Sequence, residues 1–307
     1  MSECCIFAGQ GAQTPGMGRD FAEADAGAAA LFDQANAVLG FDLAKICFEG
    51  PAEELTKSNV CQPAIFTVSY LAYRALQQRR KTDFACAAGL SLGEWGALCV
   101  AGVLDFESTL KVLEARGRFM QEACEATPSG MLAVVGATPA QLETICERTG
   151  CTVANINSAQ QQVLSGAKAA IADAVAAAKE LGVKRAIPLA TAGAFHSPFM
   201  APAREKLATV LDGIEFKAPK IPVLSNITGK PHPADPGAIK ALMLEQVTGT
   251  TNWAADTLAA RELGCTRFVE FGPGKVLSGL IKKIDPALET LNVGDLASLD
   301  ATVAALG

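Results

Sequence analysis

The sequence predicts an α/β protein with a smaller ferredoxin-like module set into a larger unit. Three observations carry this. The chain opens on an apolar run, CCIFAG, which ends in a glycine-rich turn and leads into a helical pattern. A second short apolar run, DFACAAG, is followed at once by SLGEWGALCVAGVL, whose apolar spacing suits a helix packed on a sheet. Between residues 128 and 192 the rhythm changes to four short strands and two helices. Strands alternating with helices point to a mostly parallel sheet covered by helices.

The elements follow in order. CCIFAG is continuously apolar and short, as a strand buried on both faces must be. GQGAQTPGMG supplies turn residues, and FAEADAGAAALFDQANAVLG reads as one helix. PAIFTVSYLAYRALQQR is a second helix with Pro63 in its first turn, where a missing amide proton costs little. MLAVVG, VANINS, QQVLSG and KRAIPLA are strands, and PAQLETICERTG and AKAAIADAVAAAKELG are helices. Their order, β-α-β-β-α-β, describes a ferredoxin-like module. A strand and helix pattern resumes beyond it, so the expected division is a larger unit of 1–127 and 193–307 with 128–192 inserted. PAREKLATVLDG is then a helix, IPVLSN a strand, and NWAADTLAARELG a helix stopped by Gly264. CTRFVEFG is a strand, KVLSGLIKKI a helix, and DLASLDATVAALG a closing helix.

Composition narrows the function classes. Lys and Arg number 26 against 32 Asp and Glu, a net charge of -6, with no basic tract. Nucleic acid is therefore not an expected partner. No apolar run approaches the roughly 20 residues that cross a bilayer, and MSECCIFAGQ lacks the basic start of a secretory leader. The expectation is no membrane insertion and a cytoplasmic location. Ten dispersed cysteines without a CxxC pair read as buried reduced thiols. The two histidines lie far apart, so no metal is expected. Gly9 and Gly11 fill two positions of GxGxxG but Thr14 occupies the third, and no GxxxxGK occurs, which argues against a nucleotide cofactor. That loop serves either as a tight turn or as a donor of the Gln10 amide to an oxyanion.

Gly89-Leu90-Ser91-Leu92-Gly93 is the strongest chemical signal. Lying between a strand and a helix, it can hold Ser91 above the sheet on a sharp turn, with small neighbours on both sides. The Leu92 amide then sits at a helix start, free to stabilise an oxyanion. A glycine-rich helix cap is the plainer reading. A serine hydroxyl needs a base that accepts its proton and later returns it to a leaving group. His196, in ATAGAFHSPFM at a junction of strand and helix, fits that role. His232, in GKPHPADPG, reads as a structural or solvated loop residue. Glu107, Glu114, Glu122, Glu125, Glu143, Asp173 or a backbone carbonyl are all open as the group that orients His196.

Taken together, these segments resemble the malonyl-CoA:acyl carrier protein transacylases. The matching pieces are GQGAQTPGMG, CQPAIFTVS, GLSLGEW, EARGRFMQ, VANINSAQQQVLSG, GAFHSPFM and EFGPGKVLSGLIKKI, in order over nearly the whole chain. The resemblance implies that the larger unit is α/β-hydrolase-like. It implies Ser91 as nucleophile, His196 as base and acid, and the amides of Gln10 and Leu92 as oxyanion donors. It gives Arg116, rather than its neighbour Arg118, the task of holding the substrate carboxylate, which a guanidinium meets with two aligned donors. Phe195 is implied beside the malonyl α-carbon and Met120 in the pocket wall, although both suit plain core packing. Gln246, in LEQVTGTTNW, corresponds to the residue whose backbone carbonyl orients the histidine.

The implied reaction moves malonyl from malonyl-CoA to the phosphopantetheine thiol of holo acyl carrier protein through malonyl-Ser91, without a cofactor. The expectation includes a discrete monomeric enzyme of fatty-acid synthesis. Carriers are acidic, so Lys184, Arg185, Lys275, Lys282 and Lys283 are candidates for a basic rim, each also explained by solvation alone. A serine thioesterase and a noncatalytic carrier-binding scaffold are the alternatives.

Overall fold

Alternation along Ser2–Phe7 puts Cys5 and Phe7 in one apolar cluster and Cys4 and Ile6 in another, all four buried. The strand therefore divides two cores, and from Cys4 to Phe7 neither of its faces meets water. A computed structural model describes residues 2–307; residue 1, where the expected larger unit begins, lies outside the described residues.

In chain order the strands are β1 (Ser2–Phe7), β2 (Cys86–Gly89), β3 (Ser129–Val135), β4 (Thr152–Ser158), β5 (Gln161–Ala167), β6 (Arg185–Pro188), β7 (Leu224–Ser225), β8 (Lys230–Pro231), β9 (Cys265–Phe271) and β10 (Glu289–Val293). A wholly parallel sheet runs β10-β9-β1-β2. Phe7 pairs with Gly89 on one side of it and with Phe271 on the other, so the loops after β1, β2 and β9 leave from one edge of the sheet. The strand order reverses at β1, which opens a crevice at the carboxyl ends. One face is covered by the helix Ser58–Arg79, whose Tyr73 stands edge-on to Phe271 at 5.4 Å. Helices Trp253–Glu262 and Val276–Ile284 cover the other face over Ile6 and Phe268.

The second sheet is antiparallel, in the order β4-β5-β3-β6, with helices Pro139–Thr149 and Lys168–Glu180. Element order and strand order together are ferredoxin-like. Leu132, Val134, Ile145 and Leu164 form its own apolar cluster, while Met131, Ala154 and Val163 join the main core. The small sheet thus sends apolar side chains into two cores, and its inner face looks onto the larger unit.

Several elements differ from expectation. The single helix expected from Phe21 to Gly40 is two, Arg19–Ala24 and Ala26–Leu39, broken at Asp25. Asp25 accepts from the Ala28 amide at 2.8 Å, and such a side chain favours capping over helix interiors. The helix expected to open near Pro63 begins at Ser58, which places Pro63 in the second turn. Val60 and Cys61 extend its buried face, and that burial outweighs the hydrogen bond that proline removes. The IPVLSN strand shrinks to the two residues of β7, with Val223 bridging Ala87. Helix Pro236–Thr248 and β10 lie outside the elements the sequence predicts. Among the described residues no helix is long and apolar enough to cross a membrane.

Candidate active site

β2 ends at Gly89 and the helix Leu92–Val100 starts three residues later, which leaves Leu90 and Ser91 to reverse the chain. That turn forces Ser91 to φ 56°, a left-handed conformation costly for a side chain that is not glycine. The flanking glycines are required by contact. A Cβ on Gly89 would lie 2.1 Å from the Gly93 carbonyl, and one on Gly93 would lie 2.2 Å from Phe7 O. The turn is held from outside by Asn226. Its Oδ1 accepts from the Ser91 amide at 2.7 Å, and its Nδ2 donates to Gly89 O at 2.8 Å and to Asp256 Oδ2 at 2.7 Å. Burial, reinforced by Glu94, raises the Asp256 carboxyl well above the usual carboxylate range.

His196 reaches the same point from the other side. It too has positive φ, 53°, at the junction before the short 3-10 turn Pro198–Met200. Its Nε2 lies 2.7 Å from Ser91 Oγ and its Nδ1 lies 2.8 Å from the Gln246 carbonyl oxygen. A carbonyl can only accept, so Nδ1 carries the hydrogen and Nε2 is left to accept from the serine hydroxyl. The orienting group is therefore a backbone carbonyl, and it is not one of the six carboxylates. Glu107, Glu125, Glu143 and Asp173 are exposed, and Glu114 and Glu122 pair with Arg118 and Lys206. Gln246 stands in the last turn of helix Pro236–Thr248, where carbonyls have no intrahelical donor and the dipole favours positive charge. Burial, and next the Arg116 charge, push His196 down to about 4, against the opposing bond to Gln246. The ring is neutral at pH 7.

Arg116, on helix Phe106–Ala126, is 1% exposed. It donates from NH1 to Gln62 Oε1 at 2.7 Å, and from NH2 to Gln246 Oε1 at 3.0 Å and Ser91 Oγ at 3.1 Å. Its Nε has no partner among the described residues. Burial lowers it to about 10, an effect that Glu94 partly reverses. A buried guanidinium solvated by neutral oxygens, with three of its five donors used, is suited to receive an anion. Arg118 instead pairs with Glu114 at 2.9 Å on the surface.

A cleft of about 290 Å³ opens above these groups, between the loops of the parallel sheet and the inner face of the antiparallel one. Gln10, Ser91, Met120, Phe195 and His196 line it. Leu92 is buried at the first helical position, where its amide has no intrahelical acceptor. Asn155, Asn157 and Gln161 contribute polar groups to the wall, and Leu189 and Val276 stand exposed at the rim. Lys184, Arg185, Lys275, Lys282 and Lys283 are all exposed. Lys283 reaches the cleft through Gln161, with Nζ 3.2 Å from Oε1.

For His232 the structural reading stands and the solvated one is corrected. Expected in a surface-like loop, it is buried, with Nε2 2.6 Å from Glu94 Oε1. Gln62, Glu94 and Asn226 were also missed. Each is a buried polar residue in an apolar stretch, and that contrast was the available signal.

A model of the acyl transferase domain matches residues 4–287. The malonyl CoA-acyl carrier protein transacylase of Escherichia coli (strain K12) is 39% identical over 305 residues, covering 98% of this chain and 97% of that protein. The acyl-carrier-protein-S-malonyltransferase of Bartonella henselae superposes with TM-score 0.95 at 34% identity, covering 100% of each chain. A structure described as a type II PKS acyl-carrier protein in complex with its malonyl-transacylase matches with TM-score 0.95 at 36% identity, covering 99% of this chain and 100% of that one. Sequence, fold and covered length agree, and the chain belongs to the malonyl CoA-acyl carrier protein transacylase family of acyl transferases.

Proposed function

We propose that this protein transfers malonyl from malonyl-CoA to the phosphopantetheine thiol of holo acyl carrier protein by a ping-pong route through malonyl-Ser91. The observation that carries the proposal is the place of Ser91 Oγ, 2.7 Å from a neutral imidazole nitrogen and 3.1 Å from a buried guanidinium. His196 takes the hydroxyl proton as Oγ bonds to the thioester carbonyl carbon. The amides of Gln10 and Leu92 meet the oxyanion, the C–S bond breaks, and His196 returns the proton to the departing CoA thiolate. The carrier thiol then repeats the sequence in reverse. A malonyl ester on Ser91 carries its carboxylate two carbons beyond the ester carbonyl, within reach of Arg116, while Phe195 and Met120 enclose the chain.

The division of the chain into 1–127 with 193–307 and an inserted 128–192 belongs to this proposal, supported by the separate apolar cluster of the small sheet. So does a cytoplasmic location, supported by ten unpaired cysteines that suit a reducing compartment. Fatty-acid synthesis as the pathway and a monomeric state complete the reading. The test is discharge of the acyl-enzyme. Loaded with malonyl-CoA and freed of excess, the protein keeps its acyl group in buffer and loses it on addition of holo carrier. Rapid loss to water alone would make it a thioesterase.

A further inference from the structure

The Gln246 side chain lies between two opposite charges. Its Nε2 donates to Glu94 Oε2 at 2.5 Å and to Ser91 O at 2.9 Å, and its Oε1 accepts from Arg116 NH2 at 3.0 Å. An amide can turn end for end at little intrinsic cost, but two acceptors on one side and a guanidinium on the other leave a single orientation. The second oxygen of Glu94 is taken by His232 Nε2 at 2.6 Å. Glu94 is 1% exposed, Gln246 0%, and the His232 side chain 0%. A buried chain thus runs His232, Glu94, Gln246, Arg116, and ends at the Ser91 hydroxyl.

We propose that Glu94 and His232 are positioning residues that fix which end of the Gln246 amide faces Arg116 and so keep the guanidinium aimed at the substrate carboxylate. The inference rests on Arg116 being the receptor of that carboxylate. Direct contact between Glu94 and Arg116 would neutralise the guanidinium and take up to two of its five donors, weakening its hold on a second carboxylate. One interposed amide lets Glu94 supply a buried countercharge while the donors stay available. His232 holds the carboxylate in the rotamer that faces Gln246. Neither residue lines the cleft, and neither side chain bonds to Ser91, His196 or Arg116 directly, so both act through Gln246.

Three variants test this. Glu94→Gln keeps volume but removes the charge and offers Gln246 either end of an amide. His232→Phe removes the donor to Glu94, and His232→Gln keeps a nitrogen close to the Nε2 position. Malonyl-CoA kcat and KM are measured beside the rate at which a fluorophosphonate labels Ser91, which reports the Ser91 and His196 pair without needing a carboxylate. Glu94→Gln and His232→Phe are expected to raise the malonyl-CoA KM about tenfold or more with labelling within about threefold of wild type, and His232→Gln to stay close to wild type in both. If His232→Phe does not fold, the isosteric Glu94→Gln decides. A Glu94→Gln protein with unchanged KM, or with malonyl transfer and labelling reduced by one common factor, overturns the inference. So does His232→Gln as impaired as His232→Phe. Wild type that labels with fluorophosphonate but never takes up malonyl would instead sink the functional reading beneath it.

Discussion

Ser91 Oγ and His196 Nε2 meet at 2.7 Å across 105 positions of sequence, and these two residues are the non-glycine positions with positive φ among the described residues. Each such conformation costs on the order of 1–3 kcal/mol and persists only where its surroundings enforce it. Asn226 holds the Ser91 amide, and the Gln246 carbonyl holds the His196 ring. The strain therefore sits where two side chains must leave the backbone toward one cleft.

The depressed His196 sets the pH dependence. Fluorophosphonate labelling of Ser91 needs the neutral ring, so its rate is flat through neutrality and falls only as pH nears about 4, below the ordinary histidine value of about 6.5. Arg116→Met removes the neighbouring cation and moves that limb upward. The stability linkage has the same direction. An unfolded chain takes up this proton near about pH 6.5 and the folded one only near about 4, so the contribution is complete above the first value and is lost as pH falls toward the second. A wild-type limb at about 6.5 or higher would contradict the buried site.

Arg116→Ala removes the anion receptor and lowers malonyl-CoA kcat/KM about 100- to 1000-fold, the scale of about 3–4 kcal/mol expected for a lost buried charge pair. Acetyl-CoA, which lacks the carboxylate, loses far less. Steady-state kinetics with both thioesters give the ratio, and an equal fall for both would deny Arg116 the selective role.

Asn226→Ala leaves the Ser91 amide, Gly89 carbonyl and Asp256 carboxyl without their shared partner. Unfolding free energy drops by about 2–4 kcal/mol in urea titration, and Ser91 labelling slows as the turn loosens. Asn226→Asp does not rescue it, because an acceptor would then face the Gly89 carbonyl and Asp256.

Gly93→Ala drives a methyl to 2.2 Å from Phe7 O, between the nucleophile's helix and the central strand. A loss of about 1–3 kcal/mol or more follows, together with slower labelling. Gly279→Ala is the control. No atom lies within 4 Å of its Cβ position, and alanine is the better helix former, so its melting temperature holds or rises.

The nucleophile was legible because its signal is local, with strand, turn and helix contiguous in DFACAAGLSLGEWG. His196 was separable from His232 by its place between elements, and the ferredoxin-like module by its unbroken order. The pairings that arm the site were not legible. Asn226 meets Ser91 across 135 positions and His232 meets Glu94 across 138, and contacts at that range leave no periodicity. The helix that delivers Gln246 carries a start signal, Asp235 at its cap and Pro236 at its opening, but no apolar periodicity of its own sets it apart from the loop before it. Pro63 misled in the opposite sense, because a proline marks a favoured helix start but a buried face can carry a helix past one.

Intact-protein mass spectrometry after brief mixing with malonyl-CoA tests the central claim most directly, with peptide mapping of the product. The wild-type chain is expected to gain one malonyl group, located on Ser91, and Ser91→Ala to gain none. Malonylation of Ser91→Ala at the wild-type extent, or a malonyl group mapped to another residue, would contradict the account.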